Sequence, residues 1–248
     1  MKPTASFLSV ASVISLLPTA KALVGSSWTV TNVPSTGLTD ITFPPTIVEA
    51  DHISGYYFAQ QFGFVNSADV GYTGLQPRPN QNGKPVLHGV HRPRGCGNTT
   101  TDSNCAAGAD GGPGVSCSVE WNGVYGRTYD LEVKRNGSSV WADVTHARIH
   151  IGSYTLPAGV GGIQSSQAGF VEWYPWNGGE PPNHCARLPY QKTLFGHPYT
   201  TRLGSVGTES LAYEYGDCVG QVAFKTEKLL IGAPIPAFGT HIEWMYAA

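Results

Sequence analysis

Charge is scarce in this sequence. Lysine, arginine, aspartate and glutamate together make up 13% of its 248 residues. Basic charge is scarcest: 15 Lys and Arg, two of them near the amino terminus, stand against 17 Asp and Glu. A nucleic-acid partner would need a basic face that this balance does not supply. No stretch approaches the ~20 apolar residues that span a bilayer, which argues against a membrane anchor. Apolar residues nowhere keep a spacing of three and four over the length of a helix. No C-x-x-C pair occurs, so a zinc site has no ligand pattern; His184 beside Cys185 is an isolated neighbour. A Gly-rich nucleotide loop and a G-x-S-x-G elbow are both missing, which removes nucleotide-binding and serine-hydrolase readings.

Turn-formers and aromatics take the place of charge: 31 Gly, 18 Pro, 12 Tyr, 9 Phe and 6 Trp. That composition suits an extracellular β protein. Met1 to Ala22 reads as a secretory leader, with Lys2, an apolar stretch from Phe7 to Leu17, and the A-x-A pattern Ala20-Lys21-Ala22. The mature chain is then expected to begin at Leu23, and residues 23–248 to form one domain, secreted and extracellular. All five cysteines follow the leader, and an oxidising route makes disulfides the default. The expected pairs are Cys105 with Cys117, around a Gly-rich run, and Cys185 with Cys218. Cys96 is left over, and pairing of Cys96 with Cys105 is an alternative. Asn98-Thr99-Thr100 and Asn136-Gly137-Ser138 are glycosylation sequons in turn-like stretches.

Period two dominates the apolar pattern. In Tyr56 to Phe64 one face carries Tyr56, Phe58, Phe62 and Phe64, interrupted by Gln60, and the other carries Tyr57, Ala59, Gln61 and Gly63. Further strands are expected at Gly71–Gln76, Pro85–Val90, Val115–Trp121, Tyr125–Val133, Ser139–Val144, Ala147–Ser153, Gly169–Tyr174, Leu211–Tyr215, Val219–Phe224 and His241–Tyr246. Asn82-Gly83, Asn122-Gly123 and above all Asn136-Gly137 read as hairpin turns between them. About ten short strands with regular turns predict an all-β, two-sheet antiparallel sandwich of jelly-roll type.

The runs Gly55-Tyr56-Tyr57-Phe58-Ala59-Gln60-Gln61-Phe62-Gly63-Phe64 and Gly71-Tyr72-Thr73-Gly74-Leu75-Gln76 resemble a secreted domain family of fungi and bacteria with no assigned activity. Gly108 to Cys117 and Arg148 to Pro157 look like its fungal branch. The resemblance covers the chain from about Val30 onward. It implies a concanavalin-like sandwich among secreted carbohydrate-active proteins, and it supplies no catalytic residues.

Sugar rings are flat on their C–H faces and edged by hydroxyls, so a polysaccharide site combines aromatic platforms with amide, carboxylate and imidazole groups. With Leu75 toward the core, Tyr72 and Gln76 point away from it and neighbour Gln61 across two paired strands. His88 lies in a strand-like run. Arg148 and His150, two residues apart, are expected on one face. Arg148 would then hold a uronate carboxylate while His150 or Tyr72 exchanges a proton, which is the logic of a polysaccharide lyase. Glu172 is the best candidate acid and Glu120 the second, and hydrolysis of a glycoside needs two carboxyls about 5–10 Å apart. Trp173 and Trp176 are candidate stacking platforms. Asp102 and Asp110 offer oxygens to a calcium ion but follow no EF-hand pattern, so no metal or cofactor is assigned. The expected function is a secreted enzyme that cleaves an extracellular polysaccharide, by lysis of a uronic-acid polymer or by hydrolysis. A non-catalytic glycan-binding module is the alternative, and a structural or host-interacting secreted protein a second one.

Overall fold

A computed structural model describes residues 22–95, 97–145, 147–175, 185, 188–231 and 237–245. The described residues contain seventeen strands and no α-helix. The first nine are β1 (Ala22–Val30), β2 (Asp40–Phe43), β3 (Pro45–Ala50), β4 (Tyr56–Gly63), β5 (Val70–Gln81), β6 (Lys84–Pro93), β7 (Cys105–Ala109), β8 (Gly112–Asn122) and β9 (Leu131–Asn136). They are followed by β10 (Ser139–Val144), β11 (Ile149–Thr155), β12 (Ser166–Trp173), β13 (Gln191–Gly196), β14 (Gly207–Glu209), β15 (Tyr213–Glu214), β16 (Ala223–Ile231) and β17 (Ala237–Met245). The leader lies outside the described residues apart from Ala22, which opens β1. Among the described residues no helix is long and apolar enough to cross a membrane.

Nine strands form one antiparallel sheet in the order β14-β1-β12-β4-β5-β6-β8-β7, with β15 also on β1. Two four-stranded sheets, β11-β10-β9-β2 and β16-β17-β13-β3, form the other layer. Pro44 bends the chain between β2 and β3, so one continuous run serves both small sheets. The expected antiparallel sandwich is therefore the fold. Its main core brings together Trp28, Ile41, Phe43, Phe58, Phe62, Leu75, Val133, Val140, Ile151, Val171 and Phe195, all at most 1% exposed. Trp28 and Phe43 meet edge to face across the two layers, 5.3 Å between ring centroids.

Turn chemistry sets the hairpins. Asn82 and Gly83 both have positive φ (50° and 70°), as do Asp110 and Gly111 (50° and 77°). These are the two-residue turns whose twist matches a hairpin, and they close β5–β6 and β7–β8. The Asn136-Gly137 signal is displaced by one residue. Asn136 pairs with Ser139, so Gly137 and Ser138 form the turn, with Gly137 at φ 60°. Other expectations shift more. Tyr125–Val133 is not one strand: Gly126 takes φ 77°, and its N–H and that of Tyr129 donate to Ile47 and Pro45 on β3. The strand begins only at Leu131. Val219–Phe224 opens instead with turns at Gly216 and Gly220 (φ 85° and 68°), and β16 starts at Ala223.

Both expected disulfides form, Cys105–Cys117 across the β7–β8 ladder and Cys185–Cys218 between two late segments. Cys96 lies outside the described residues. Asn136 is exposed beside its turn, whereas Asn98 is half-buried and its Nδ2 donates to the Arg94 carbonyl at 3.1 Å. The first disulfide rests on Gly152 of β11. A Cβ there would overlap Cys117 and approach Cys105 Sγ within 2.5 Å. Gly152→Ala is expected to destabilise the fold by about 2 kcal/mol, as overpacked cores do. Chemical denaturation of the oxidised protein measures this, and an unchanged midpoint would mean the two layers separate freely at this contact.

Candidate active site on the outer face

The alternation of β4 sends Tyr56, Phe58 and Phe62 to the core and Tyr57, Ala59 and Gln61 to the opposite, outer face. Register carries that outer face across the sheet. Glu172 of β12 pairs with Tyr57, Phe58 pairs with Leu75 and so sets Tyr57 beside Gln76, Gln76 pairs with His88, and His88 pairs with Glu120. One row across five strands therefore reads Glu172, Tyr57, Gln76, His88, Glu120. Four residues along, the row Gln61, Tyr72, Arg92 runs parallel to it. Between the two lie Phe170, Ala59, Gly74 and Val90.

This face is not an ordinary solvated sheet surface. Tyr57, Ala59, Tyr72, Val90 and Phe170 form a second hydrophobic cluster, separate from the main core, with Tyr174 packed against it. Tyr57, Tyr72 and Phe170 make a closed triangle, each pair edge to face at 5.8 Å. Glu172 and Gln76 are 9% and 6% exposed. Burial first, then the acidic neighbours Tyr72, Asp110 and Glu172, drive the Tyr57 phenol well above its ordinary range. Tyr215 reports Glu172 from the other side: burial and then the Glu172 carboxyl raise its phenol as well.

The turn Asp110-Gly111 at the tip of β7–β8 brings Asp110 over this face. Its Oδ2 accepts a short hydrogen bond from the Tyr72 hydroxyl, and its Oδ1 accepts from Arg92 Nη1 at 3.1 Å. Burial and the Asp110 carboxylate hold Tyr72 protonated far above neutrality. The phenol expected to exchange a proton thus stands as a donor to Asp110.

Arg78, two residues beyond Gln76 on β5, ties the far end together. Its Nη2 donates to Gln76 Oε1 at 2.6 Å and lies 2.6 Å from His88 Nδ1. Its Nε donates to Glu120 Oε1 at 3.1 Å, and its Nη1 to the Tyr174 hydroxyl at 3.0 Å. Burial and the Arg78 charge push the His88 imidazole down to about 4, so His88 is neutral at physiological pH. Against a burial penalty that acts the other way, hydrogen bonds from Arg78 and Gln81 and the Arg78 charge hold Glu120 below its usual range.

Of the residues expected from sequence, the outer face brings together Gln61, Tyr72, Gln76, His88 and Glu172. Arg148 and His150 are elsewhere. Arg148 sits at φ 54° in the turn before β11, in the opposite layer, so it does not share a strand face with His150. His150 instead bridges two carboxylates, Asp143 at 2.6 Å and Asp102 at 2.7 Å, and these outweigh burial to raise its pKa. The convergence of Arg148 and His150 with Tyr72 is therefore overturned. Trp173 lies on the core side of β12, edge to face with Tyr56 at 4.8 Å. Trp176 lies outside the described residues. Asp102 bonds His150 and Ser153 while Asp110 bonds Tyr72 and Arg92, so the pair considered for calcium serves two separate clusters. Arg78 and Arg92 escaped the sequence reading. Period two carried on from Gln76 and His88 places both on the same face.

A small recess lined by Phe64, Asp69, Arg94, Asn98 and Pro157 lies beyond the Gly63 end of β4, away from these rows. No protein-family model matches the chain, and no curated relative matches it. Among solved structures, the chain is similar to scytalido-glutamic peptidase bound to a transition-state analogue inhibitor, at 10% sequence identity and a TM-score of 0.42. That likeness covers 92% of this chain and all of the peptidase chain.

Proposed function

We propose that this chain is an extracellular hydrolase that cleaves an extended polymer lying on the outer face, with Glu172 carrying the proton transfers. The observation that carries the reading is the row Glu172–Tyr57–Gln76, buried, and half-buried His88 next to it, beside an aromatic cluster that the main core does not need. The polymer proposed first is a polysaccharide. Aromatic rings suit the C–H faces of sugars, and the carboxylates, amides and arginines around them suit the hydroxyls. Glycoside hydrolysis needs a second carboxyl. Glu120 is four strand spacings from Glu172, roughly 19 Å, which is too far. Asp110, held over the same outer face by the Tyr72 hydroxyl and Arg92, is the partner proposed. In this reading Asp110 takes the part of the second carboxyl, and Glu172 that of the proton donor.

A second reading rests on Gln76. It stands two strand spacings from Glu172, roughly 10 Å between backbones, with long side chains able to reach toward each other. One carboxyl that activates water and one amide that holds a carbonyl oxygen suffice for hydrolysis of a peptide bond.

The test is incubation with a panel of acidic and neutral polysaccharides and an unfolded protein. Reducing ends, unsaturated sugar and new amino termini are recorded for the wild type, Asp110→Asn and Gln76→Ala. Reducing ends that fall about 100-fold in Asp110→Asn fit the polysaccharide reading. New amino termini that survive Asp110→Asn but fall about 100-fold in Gln76→Ala fit the peptide reading. Unsaturated sugar would return the chain to lyase chemistry. Silence on the whole panel, with retained binding to a glycan, would make it a glycan-binding module.

A further inference from the structure

Gln76 is a symmetric-looking amide whose two ends do opposite things, and its neighbours decide which end meets a ligand. A guanidinium only donates hydrogen bonds. Arg78 Nη2, 2.6 Å away, therefore fixes the Gln76 oxygen as the atom turned to it. The amide nitrogen is left as the outward end, and among the described residues it has no hydrogen-bond partner within the protein. Arg78 cannot swing away easily, because Glu120, Tyr174 and its neighbour's carbonyl at Pro77 hold the rest of its fork. Glu120 is itself held by Gln81 Nε2 at 3.2 Å. The same guanidinium acts on His88. The His88 Nδ1 also lies 3.2 Å from Glu120 Oε1, while Nε2 is buried and has no partner.

We infer that Arg78 is a positioning residue: it locks the Gln76 amide with its N–H₂ end toward the groove, so that this part of the site takes an oxygen acceptor of the substrate. Resting on the hydrolase reading above, this assigns the group beside the cleaved bond. It is a carbonyl or carboxylate oxygen, as in a uronic acid, an acetamido sugar or a peptide, and not a bare hydrocarbon or cationic group. A cation at this position would face the N–H₂ end of Gln76, a donor.

The test uses Arg78→Met, Arg78→Lys and Gln76→Ala in the full chain, and two readouts. The first does not need turnover: the side-chain amide ¹⁵N–¹H pair of Gln76, assigned by its loss in Gln76→Ala, is expected to shift and broaden in Arg78→Met as the amide becomes free to flip. Arg78→Lys, which can still donate to Oε1, is expected to restore most of the wild-type position. The second is kinetic, on whichever polymer is cleaved. Arg78→Met is expected to lower kcat about 10-fold with KM changed less than threefold, and to have less than a twofold effect when Gln76 is already alanine. An unmoved Gln76 amide in a folded Arg78→Met protein would overturn the inference. So would equal losses from Arg78→Met with and without Gln76. If no polymer is cleaved while the amide moves as expected, the hydrolase reading fails and the positioning role stands.

Discussion

Glu172→Gln is expected to lower kcat for polymer cleavage by about 1,000-fold while the protein stays folded. The substitution keeps the shape of the side chain and removes only its capacity to give and take a proton. Glu172 sits at the end of β12, paired with Tyr57, with Tyr215 on its other side. It is 9% exposed. Both polymer readings route their proton transfers through this carboxyl, and they differ only in its partner. The loss should therefore appear on whichever substrate is cleaved, whether or not Asp110 or Gln76 is needed. Asp143→Asn makes the comparison. Asp143 lies on β10 in the opposite layer, bonded to His150, and its replacement is expected to leave turnover within twofold of the wild type. Turnover is measured on the panel substrate with thermal unfolding as a check on the fold. A Glu172→Gln enzyme that keeps more than a tenth of the wild-type kcat would remove Glu172 from the chemistry and leave the outer face as a binding surface.

How far the sequence reached depended on whether a feature repeats every second residue. The outer face was legible where alternation was clean, as in Tyr56 to Phe64, where the two faces differ in polarity at each step. Gln61, Tyr72, Gln76 and His88 followed from that rule, because antiparallel register carries one face to the next strand. Gln60 broke the apolar pattern, and it lies on the core side with Ser26, Thr73 and Glu209, in a buried polar patch that no periodicity announces. The pairing of Arg148 with His150 failed because Arg148 takes a left-handed backbone that ends the alternation. Asp110 entered the site through a long-range event, the folding of the β7–β8 hairpin over the face. Its turn was visible as Asp-Gly in a Gly-rich run, but nothing local gave the direction in which that hairpin points. β2, β3 and β13 were missed because they are short, with β2 buried at every position and Pro44 and Pro45 at the bend that follows it.

Glu209→Gln is expected to stabilise the protein by about 3 kcal/mol at pH 8 and to change little at pH 4. Glu209 is 3% exposed on the short edge strand β14. Its Oε2 accepts from Gln60 Nε2 at 3.2 Å, while its Oε1, Gln60 Oε1 and Ser26 Oγ are buried without partners in the protein. Burial raises its pKa from 4.5 to about 7. Below pH 4.5 both the folded and the unfolded chain hold this proton, and the carboxyl adds no pH-dependent penalty. Between 4.5 and 7 the unfolded chain releases it while the folded chain keeps it, so stability falls as pH rises. Above 7 the penalty is constant, about 3 kcal/mol at roughly 1.4 kcal/mol per pH unit. The histidines impose the opposite slope on the acid side. Burial lowers His91, stacked on Phe62 with ring centroids 5.4 Å apart, from 6.5 to about 3. Burial and Arg78 lower His88 to about 4. Each resists a proton that the unfolded chain accepts below 6.5, so stability falls again as pH drops below that value. With two histidines against one carboxyl, the sum rises with pH up to about 6.5 and falls from there to 7, so these groups place maximum stability near pH 6.5. Glutamine at 209 removes only the alkaline slope, and its added N–H₂ has Gln60 Oε1 and Ser26 Oγ as ready acceptors. Denaturant unfolding at pH 4, 6 and 8 measures all three regimes for the wild type and the variant. The same stability difference at pH 4 and pH 8 would mean that Glu209 does not titrate in the folded protein, and that the alkaline slope has another source.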